Sequence, residues 1–302
     1  MALEFWRVWQ GMDWNVDSKL IGDNLKNASW TPDAELSAVL AGMQEGSIPR
    51  LLTACNGKPS DWGLDADQGI FELLPHLGRL RATGRILAAD ARRLMAAGKT
   101  DDAVARVVAI LHLPRHLTRD QVLISTLVAQ AISEIGMEEA KRILTMSQGG
   151  DAAKRAFLAA VADLDATDPY RFREAIAGER TVFIGWMKKT MLGPNGHAAL
   201  EKSLETMGDV GSDKETAKAL LAMDQAALAA DLEKADGAYD DILKVWDQPN
   251  FAEEVKVIAT GIKNGKYGMV AKVFAPGLDK VAKRRDEGVK QLQAFRRELG
   301  AK

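Results

Sequence analysis

Four side chains between residues 61 and 81 have types and spacing that could support chemistry: Asp61, Trp62, His76 and Arg81. A histidine paired with a carboxylate exchanges protons near neutral pH, so an Asp–His pair is the usual core of an acid–base site. His76 follows a proline and is expected to hydrogen-bond into the loop of Asp61. The competing interpretation, which the sequence favours, is structural capping of the helix that begins there. These four residues are named the 61–81 cluster.

Two other segments resemble ligand-binding loops but lack required residues. Residues 98–100, Gly-Lys-Thr, match the end of a phosphate-binding loop, yet Arg93 replaces its first glycine and a helix is predicted before it, where the motif has a strand. Residues 65–69 resemble the start of a calcium loop, but their glycine falls at position five and His76 replaces the glutamate of position twelve. We predict an Asp-rich capping turn, and neither nucleotide nor calcium.

His112 and His116 have the spacing of two zinc ligands on one helical face. Pro114 lies between them and no acidic residue stands close enough in sequence to complete a site, so partly buried structural histidines are expected. Cys55 is the single cysteine, which excludes an intramolecular disulfide, and it is predicted to be a small core residue and not a nucleophile. No cofactor or metal is therefore predicted.

Helices must position these residues, because nearly every segment repeats its apolar side chains in steps of three and four. This pattern predicts an all-α fold. Thr31 is expected to cap an early helix. The longest stripe, from Ala217 to Trp246, predicts one long helix that begins at Ser212 and is interrupted, if anywhere, at Gly237.

The turn around Gly98 follows small residues and precedes an alanine by five positions, as in a tetratricopeptide (TPR) repeat. No second copy stands 34 residues away, so one TPR-like hairpin is expected and not an array. Antiparallel helical hairpins, TPR-like or α-solenoid-like, are predicted in residues 73–146, with a second turn at Gly136.

The stretch from Ser60 to Leu144 also carries a wider family resemblance. Its segments are, in order, residues 61–64 (DWGL), 74–77 (LPHL), Arg81, 92–104, 109–111 (AIL), 115–117 (RHL) and 123–128 (LISTLV). Together they resemble an uncharacterised family of helical proteins that is abundant in planctomycete bacteria. The resemblance implies a bacterial protein, often one at the cell envelope, and it brings no catalytic residues.

Gln148, Gly149 and Gly150 form the clearest predicted linker. Residues 1–148 are predicted to form an N-terminal helical-hairpin domain, and residues 149–302 a C-terminal antiparallel bundle of long helices, separate from the first or continuous with it. Glu179 and Arg180 are expected to begin a helix in the second part, as a cap and a surface pair.

Composition excludes several classes of protein. Hydrophobic residues make up 47% and charged residues 27% of the chain, and the formal net charge is −2, so a globular protein that does not bind nucleic acid is expected. No apolar run approaches the roughly 18 residues of a membrane span. Residues 278–302 carry eight basic and four acidic side chains, a local charge of +4, which indicates a solvated face or a docking surface for an acidic partner.

The leading functional prediction is a non-enzymatic scaffold or protein-interaction module, which binds a protein partner or pairs with itself through its long C-terminal helices. The alternative is an enzyme or small-molecule binder with its site at the 61–81 cluster. A third hypothesis has the tryptophan-rich N-terminus, with Trp6, Trp9, Trp14 and Trp30, enclose an apolar ligand. The location is expected to be cytoplasmic if the chain is complete, and periplasmic or envelope-associated if a signal peptide was removed.

Overall fold

The computed structural model describes residues 2–12, 18–71, 73–146, 150–207, 214–275 and 277–301, and these contain helices and turns but no strand. The predicted all-α class is confirmed. Two residues singled out in the sequence, Trp14 and Ser212, lie outside the described residues. Among the described helices, none combines the length and the apolar character of a membrane span.

The α-helices are listed here in chain order. They are α1 (Ala2–Gln10), α2 (Ser18–Asn24), α3 (Ala34–Gly42), α4 (Ser47–Asn56), α5 (Pro75–Ala96), α6 (Thr100–His112), α7 (Leu123–Met146), α8 (Gly150–Ala160), α9 (Phe172–Glu179), α10 (Gly185–Met191), α11 (Gly196–Met207), α12 (Lys214–Leu221), α13 (Gln225–Lys244), α14 (Phe251–Lys263), α15 (Gly268–Phe274) and α16 (Leu278–Glu298). Short 3₁₀ turns span Met43–Glu45, Ala66–Phe71 and Leu113–His116, and a π turn, Arg180–Ile184, joins α9 to α10.

The start of α3 differs from the sequence prediction. Asp33, and not Thr31, caps the helix, because its carboxylate accepts a hydrogen bond of 2.9 Å from the backbone N–H of Leu36. An acceptor at this position satisfies one of the free N–H groups of the first turn. The capping signal was recognised correctly, but it was placed two residues too early.

Helices α5, α6 and α7 pack against one another. Gly98 adopts a φ of +71°, as the turn between α5 and α6 requires. The second predicted turn, at Gly136, is wrong, because α7 continues through it. A β-carbon at Gly136 would lie 2.9 Å from Cδ2 of Leu111, so this glycine lets α6 approach α7 closely.

Two predictions for the second half of the chain are also wrong. The long stripe is divided between α12 and α13, because Asp224 accepts a hydrogen bond of 2.7 Å from the N–H of Ala227 and begins a new helix there. Gly237 lies inside α13 and does not interrupt it. Glu179 and Arg180 do not begin a helix, since Glu179 is the last residue of α9 and Arg180 is the first residue of the π turn that follows it.

Within the described residues, the buried apolar side chains form two clusters, and each cluster includes residues from both halves of the chain. The larger cluster extends in sequence from Phe5 to Ala282. The smaller one joins residues of α5 to α8 to the end of α16, where Leu292 and Phe295 are fully buried. Side chains from before and after residue 149 therefore share the same cores.

A buried ion pair connects α5 to α7. Arg92 donates from Nε to Oε1 of Glu139 over 2.9 Å, and both side chains are only 4% exposed. Nη2 of Arg92 also donates to Glu139. Nη1 donates to the backbone carbonyls of Asn27 and Trp30, and Nη2 to that of Leu25, at 2.8–3.0 Å. One guanidinium therefore holds the loop between α2 and α3 against the centre of the protein.

Candidate functional site

Trp62 lies at the centre of a group of rings. Its indole Nε1 donates to the backbone carbonyl of His116 over 2.6 Å. Its ring is stacked on His76 at 4.6 Å between centroids, and on Trp9 at 5.8 Å with an interplanar angle of 6°. Phe5 is packed against it at 5.8 Å. Helix α1 is thus attached to the body of the protein by its aromatic side chains.

His76 pairs with a different carboxylate from the one expected. Its Nε2 lies 3.0 Å from Oδ2 of Asp120, just before α7, and the same oxygen accepts a 2.6 Å hydrogen bond from the hydroxyl of Ser125. Asp61 is exposed and accepts instead from the N–H of Gly63 in a local turn. A short aspartate side chain reaches its own loop backbone readily, so this local bond leaves His76 to another partner.

Arg81 is not part of the site. It is exposed on α5, five residues after His76, which corresponds to a rotation of roughly 140° around the helix axis. The structure therefore brings Trp62 and His76 together, leaves Asp61 beside them at the surface, and separates Arg81 from all three. Asp120 was missed, although an acidic residue just before a helix is a recognisable start signal.

Ser60 and His116 form a second polar pair, which was not predicted from the sequence. The hydroxyl of Ser60 lies 3.0 Å from Nδ1 of His116, and Nε2 of His116 lies 3.0 Å from the carbonyl of Cys55. A carbonyl can only accept, so Nε2 carries the proton and Nδ1 accepts from Ser60. A serine hydroxyl bonded to a histidine nitrogen is also the arrangement of a serine nucleophile and its general base. Here, however, Ser60 and His116 are both 0% exposed. His76 is 2% exposed. Neither histidine can reach a substrate in this conformation.

His112 and His116, which have the spacing of zinc ligands, contact different partners. Nδ1 of His112 lies 2.6 Å from the side-chain oxygen of Asn56, whereas His116 faces Ser60. Among the described residues, no group of three or more potential ligands is placed to hold a metal ion. Cys55 is buried, and burial raises the pKa of its thiol, which makes it a poor nucleophile.

Two adjoining cavities open beside the ring group, and both are lined by Leu64 and Asp120. The polar cleft has a volume of 440 Å³ and is lined by Asp61, Trp62, Leu64, Arg119, Asp120, Gln121 and Arg171. Gln121 and Arg171 have φ angles of +54° and +59°, a conformation that costs energy for residues with a β-carbon. The other cavity, of 330 Å³, has mostly apolar walls.

Comparisons with known proteins do not assign this arrangement to a class. No family model, no curated protein and no solved structure matches the chain.

The buried His116 is expected to make stability depend on pH. Burial lowers the pKa of His116 to about 4, whereas an unfolded histidine has a pKa of about 6.5. The unfolded chain takes up a proton that the folded protein excludes, so this contribution is complete above about pH 6.5 and is lost as the pH falls toward 4. At pH 5 the loss amounts to about 2 kcal/mol. Urea unfolding at pH 8, 6 and 5 measures it.

The matched variants are His116→Gln and His197→Gln, the second of which removes an exposed histidine. The first is expected to flatten the decline in unfolding free energy between pH 6.5 and 5, and the second to leave it unchanged. Burial also lowers the pKa of His112 to about 4, so part of the decline should persist in His116→Gln. Equal slopes in all three proteins would contradict the assignment to His116.

Proposed function

We propose that this protein is a non-enzymatic interaction module that binds an amphipathic helix of a partner protein. The observation that supports it is an open groove of 730 Å³ between α6 and α8. Val104 and Val108 line it on α6, Ala152 and Ala156 line it on α8, and Met146, 56% exposed, stands at the end of α7. This surface is named the α6–α8 groove.

The residues that line the α6–α8 groove suit a partner helix. Val104 and Val108 are one helical turn apart, and the alanines opposite them are small enough to leave a channel. Amphipathic helices bind in such grooves through apolar side chains spaced three and four residues apart. Exposed apolar surface of this kind commonly marks an interaction site. Asp101 lines the same groove, so we expect a basic residue beside the apolar face of the partner helix.

A catalytic function receives less support from the geometry. The two histidine pairs are enclosed by protein, and their hydrogen bonds join segments distant in the chain. Their arrangement is that of structural polar groups, which are satisfied internally when they are buried. Recognition by an open apolar groove accordingly remains the better supported function.

The experiment blocks the groove without disturbing the core. Ala105 and Ala152 line the groove and are exposed, so long arginine side chains at both positions should obstruct it while their charged ends stay in water. The double variant Ala105→Arg/Ala152→Arg is used to capture the partner from an extract of cells that naturally make this protein. The captured amount is expected to fall at least about tenfold, equivalent to about 1.4 kcal/mol of binding free energy. Quantitative mass spectrometry of the captured proteins measures this loss.

Ala159→Arg is the matched control, because Ala159 is exposed on α8 outside the groove. It is expected to capture the same partner as the unaltered protein. Light scattering of the purified chain distinguishes a foreign partner from a second copy, since only self-pairing would change the mass with concentration. Capture that is unaffected by the double variant, or the absence of any reproducible partner, would contradict the proposal.

A further inference from the structure

The second cavity beside Asp120 has the composition of a binding site. It occupies 330 Å³ between the start of α7, the π turn and the segment before α5. Its apolar walls are formed by Leu64, Leu74, Val122, Ile124, Val182 and Phe183. The volume lies near the lower end of the range for ligand pockets, roughly 300–1,000 Å³, so the matching ligand is small. This cavity is named the Glu179 pocket.

The charged groups that line the Glu179 pocket all have one sign. Asp65, Asp120 and Glu179 contribute carboxylates, and no lysine or arginine is among its lining residues. Asp65 is exposed, and both its oxygens accept hydrogen bonds from the next turn of chain. An apolar cavity with several carboxylates and no cation attracts a positively charged ligand.

Glu179 is the carboxylate with the least compensation. Its Oε1 accepts one hydrogen bond, of 3.1 Å, from the backbone N–H of Leu123, and within the described part of the chain Oε2 bonds to nothing. Burial raises the pKa of Glu179, which means that its surroundings solvate the charge poorly. A ligand N–H group would supply the missing donor.

The π turn beside Glu179 is a second, independent indication of a site. It spans Arg180–Ile184, directly after Glu179, and two of its residues, Val182 and Phe183, line the pocket. Wide turns of this kind inside α-helices occur frequently at functional sites. An aromatic ring such as Phe183 also attracts a cation that lies near its face.

We propose that the Glu179 pocket binds a small primary amine in its protonated form, with the ammonium group against Glu179 and a short hydrocarbon chain against the apolar walls. Asp120 and Asp65 add attraction for the positive charge. A metal ion is a poorer match than an amine, because among the described residues no three His, Cys, Asp or Glu side chains are grouped so that they could hold one. This inference concerns a different surface from the α6–α8 groove and stands independently of it.

Calorimetric titration of the full chain with hexylamine tests the proposal. A dissociation constant on the order of 1 mM is expected for a ligand of this size. Hexan-1-ol has the same chain without the charge and is expected to bind at least tenfold more weakly. Equal binding of the alcohol and the amine would overturn the proposal, as would the absence of amine binding.

Glu179→Gln tests the carboxylate itself. The glutamine amide oxygen can still accept from Leu123, so the cap on α7 is retained while the charge is lost. Amine affinity is expected to fall at least tenfold. Glu174→Gln, on the same helix but paired with Arg171 outside the pocket, should bind as the unaltered protein does. Equal affinity of Glu179→Gln and Glu174→Gln would overturn the proposal.

Two further measurements keep the test decisive. If Glu179→Gln does not fold, Val182→Phe fills the pocket from another wall and is expected to abolish amine binding; unchanged binding would overturn the proposed location. Nα-acetyl-lysine methylamide carries the same ammonium group on a protein-like backbone. Because the cavity is small, this compound is expected to bind at least tenfold more weakly than hexylamine. The reverse order would assign the pocket to a lysine of a partner protein and overturn the assignment to a free amine.

Discussion

Replacing Arg92 by alanine is expected to lower the free energy of unfolding by about 3–5 kcal/mol. The substitution leaves the carboxylate of Glu139 buried without its cation, and it removes the donors from the carbonyls of Leu25, Asn27 and Trp30. An uncompensated buried charge costs more than the net contribution of the original pair, since the carboxylate was already desolvated. Urea unfolding followed by circular dichroism measures the loss.

The control for this prediction is Arg81→Ala on the same helix. Arg81 is exposed, so its loss is expected to change the unfolding free energy by no more than about 0.5 kcal/mol. The double variant Arg92→Met/Glu139→Leu removes both charges and should recover part of the stability, as replacement of a whole buried pair commonly does. If Arg92→Ala were no less stable than Arg81→Ala, the bond network around Arg92 could not hold the loop between α2 and α3 as described.

Gly178→Ala is expected to be the second strongly destabilising change, with a loss of about 3 kcal/mol or more. Gly178 lies on α9 against the backbone before α7, and a β-carbon there would be only 2.0 Å from the carbonyl oxygen of Gln121. The obstacle is backbone, and Gln121 is itself held at a φ of +54°, so neither side can move aside cheaply. The same displacement should separate Glu179 from the N–H of Leu123 and weaken amine binding in the Glu179 pocket.

Gly185→Ala supplies the comparison for this prediction. Gly185 has a φ of −61° at the start of α10, and a β-carbon there would meet nothing within 4 Å. Alanine in such a helical position is expected to raise the unfolding free energy by up to about 1 kcal/mol. Thermal and urea unfolding of both variants would decide the matter. Equal stability of the two would show that α9 does not approach Gln121 as closely as described.

Local patterns accounted for most of the helices and for few of their ends. Helix α3 is capped by Asp33, whereas Thr31 was predicted. Asp224 caps α13 at a point where the apolar stripe had indicated one continuous helix. Both differences have the same cause. Apolar spacing records which face of a helix is buried, whereas a helix end depends on which side chain satisfies the free N–H groups.

The 61–81 cluster illustrates how far a candidate site can be predicted. The sequence grouped Trp62 with His76, and in the structure these two rings are stacked on each other. The partner of His76 could not be inferred, because Asp120 is 44 residues away in the chain. Arg81 is adjacent in sequence and still faces elsewhere, since helical geometry turned it away.

Apolar periodicity and turn glycines such as Gly98 act within a few residues of the chain, so the amino-acid sequence alone was enough to predict a protein built from helices. The packing of distant segments sets which carboxylate meets His76, and it makes Gly136 and Gly178 points of close contact between helices and backbone. The same packing places Glu179 at the end of α9, where it lines a pocket and does not begin a helix. These properties depend on pairs of segments distant in sequence, whose approach is set by packing of the whole core.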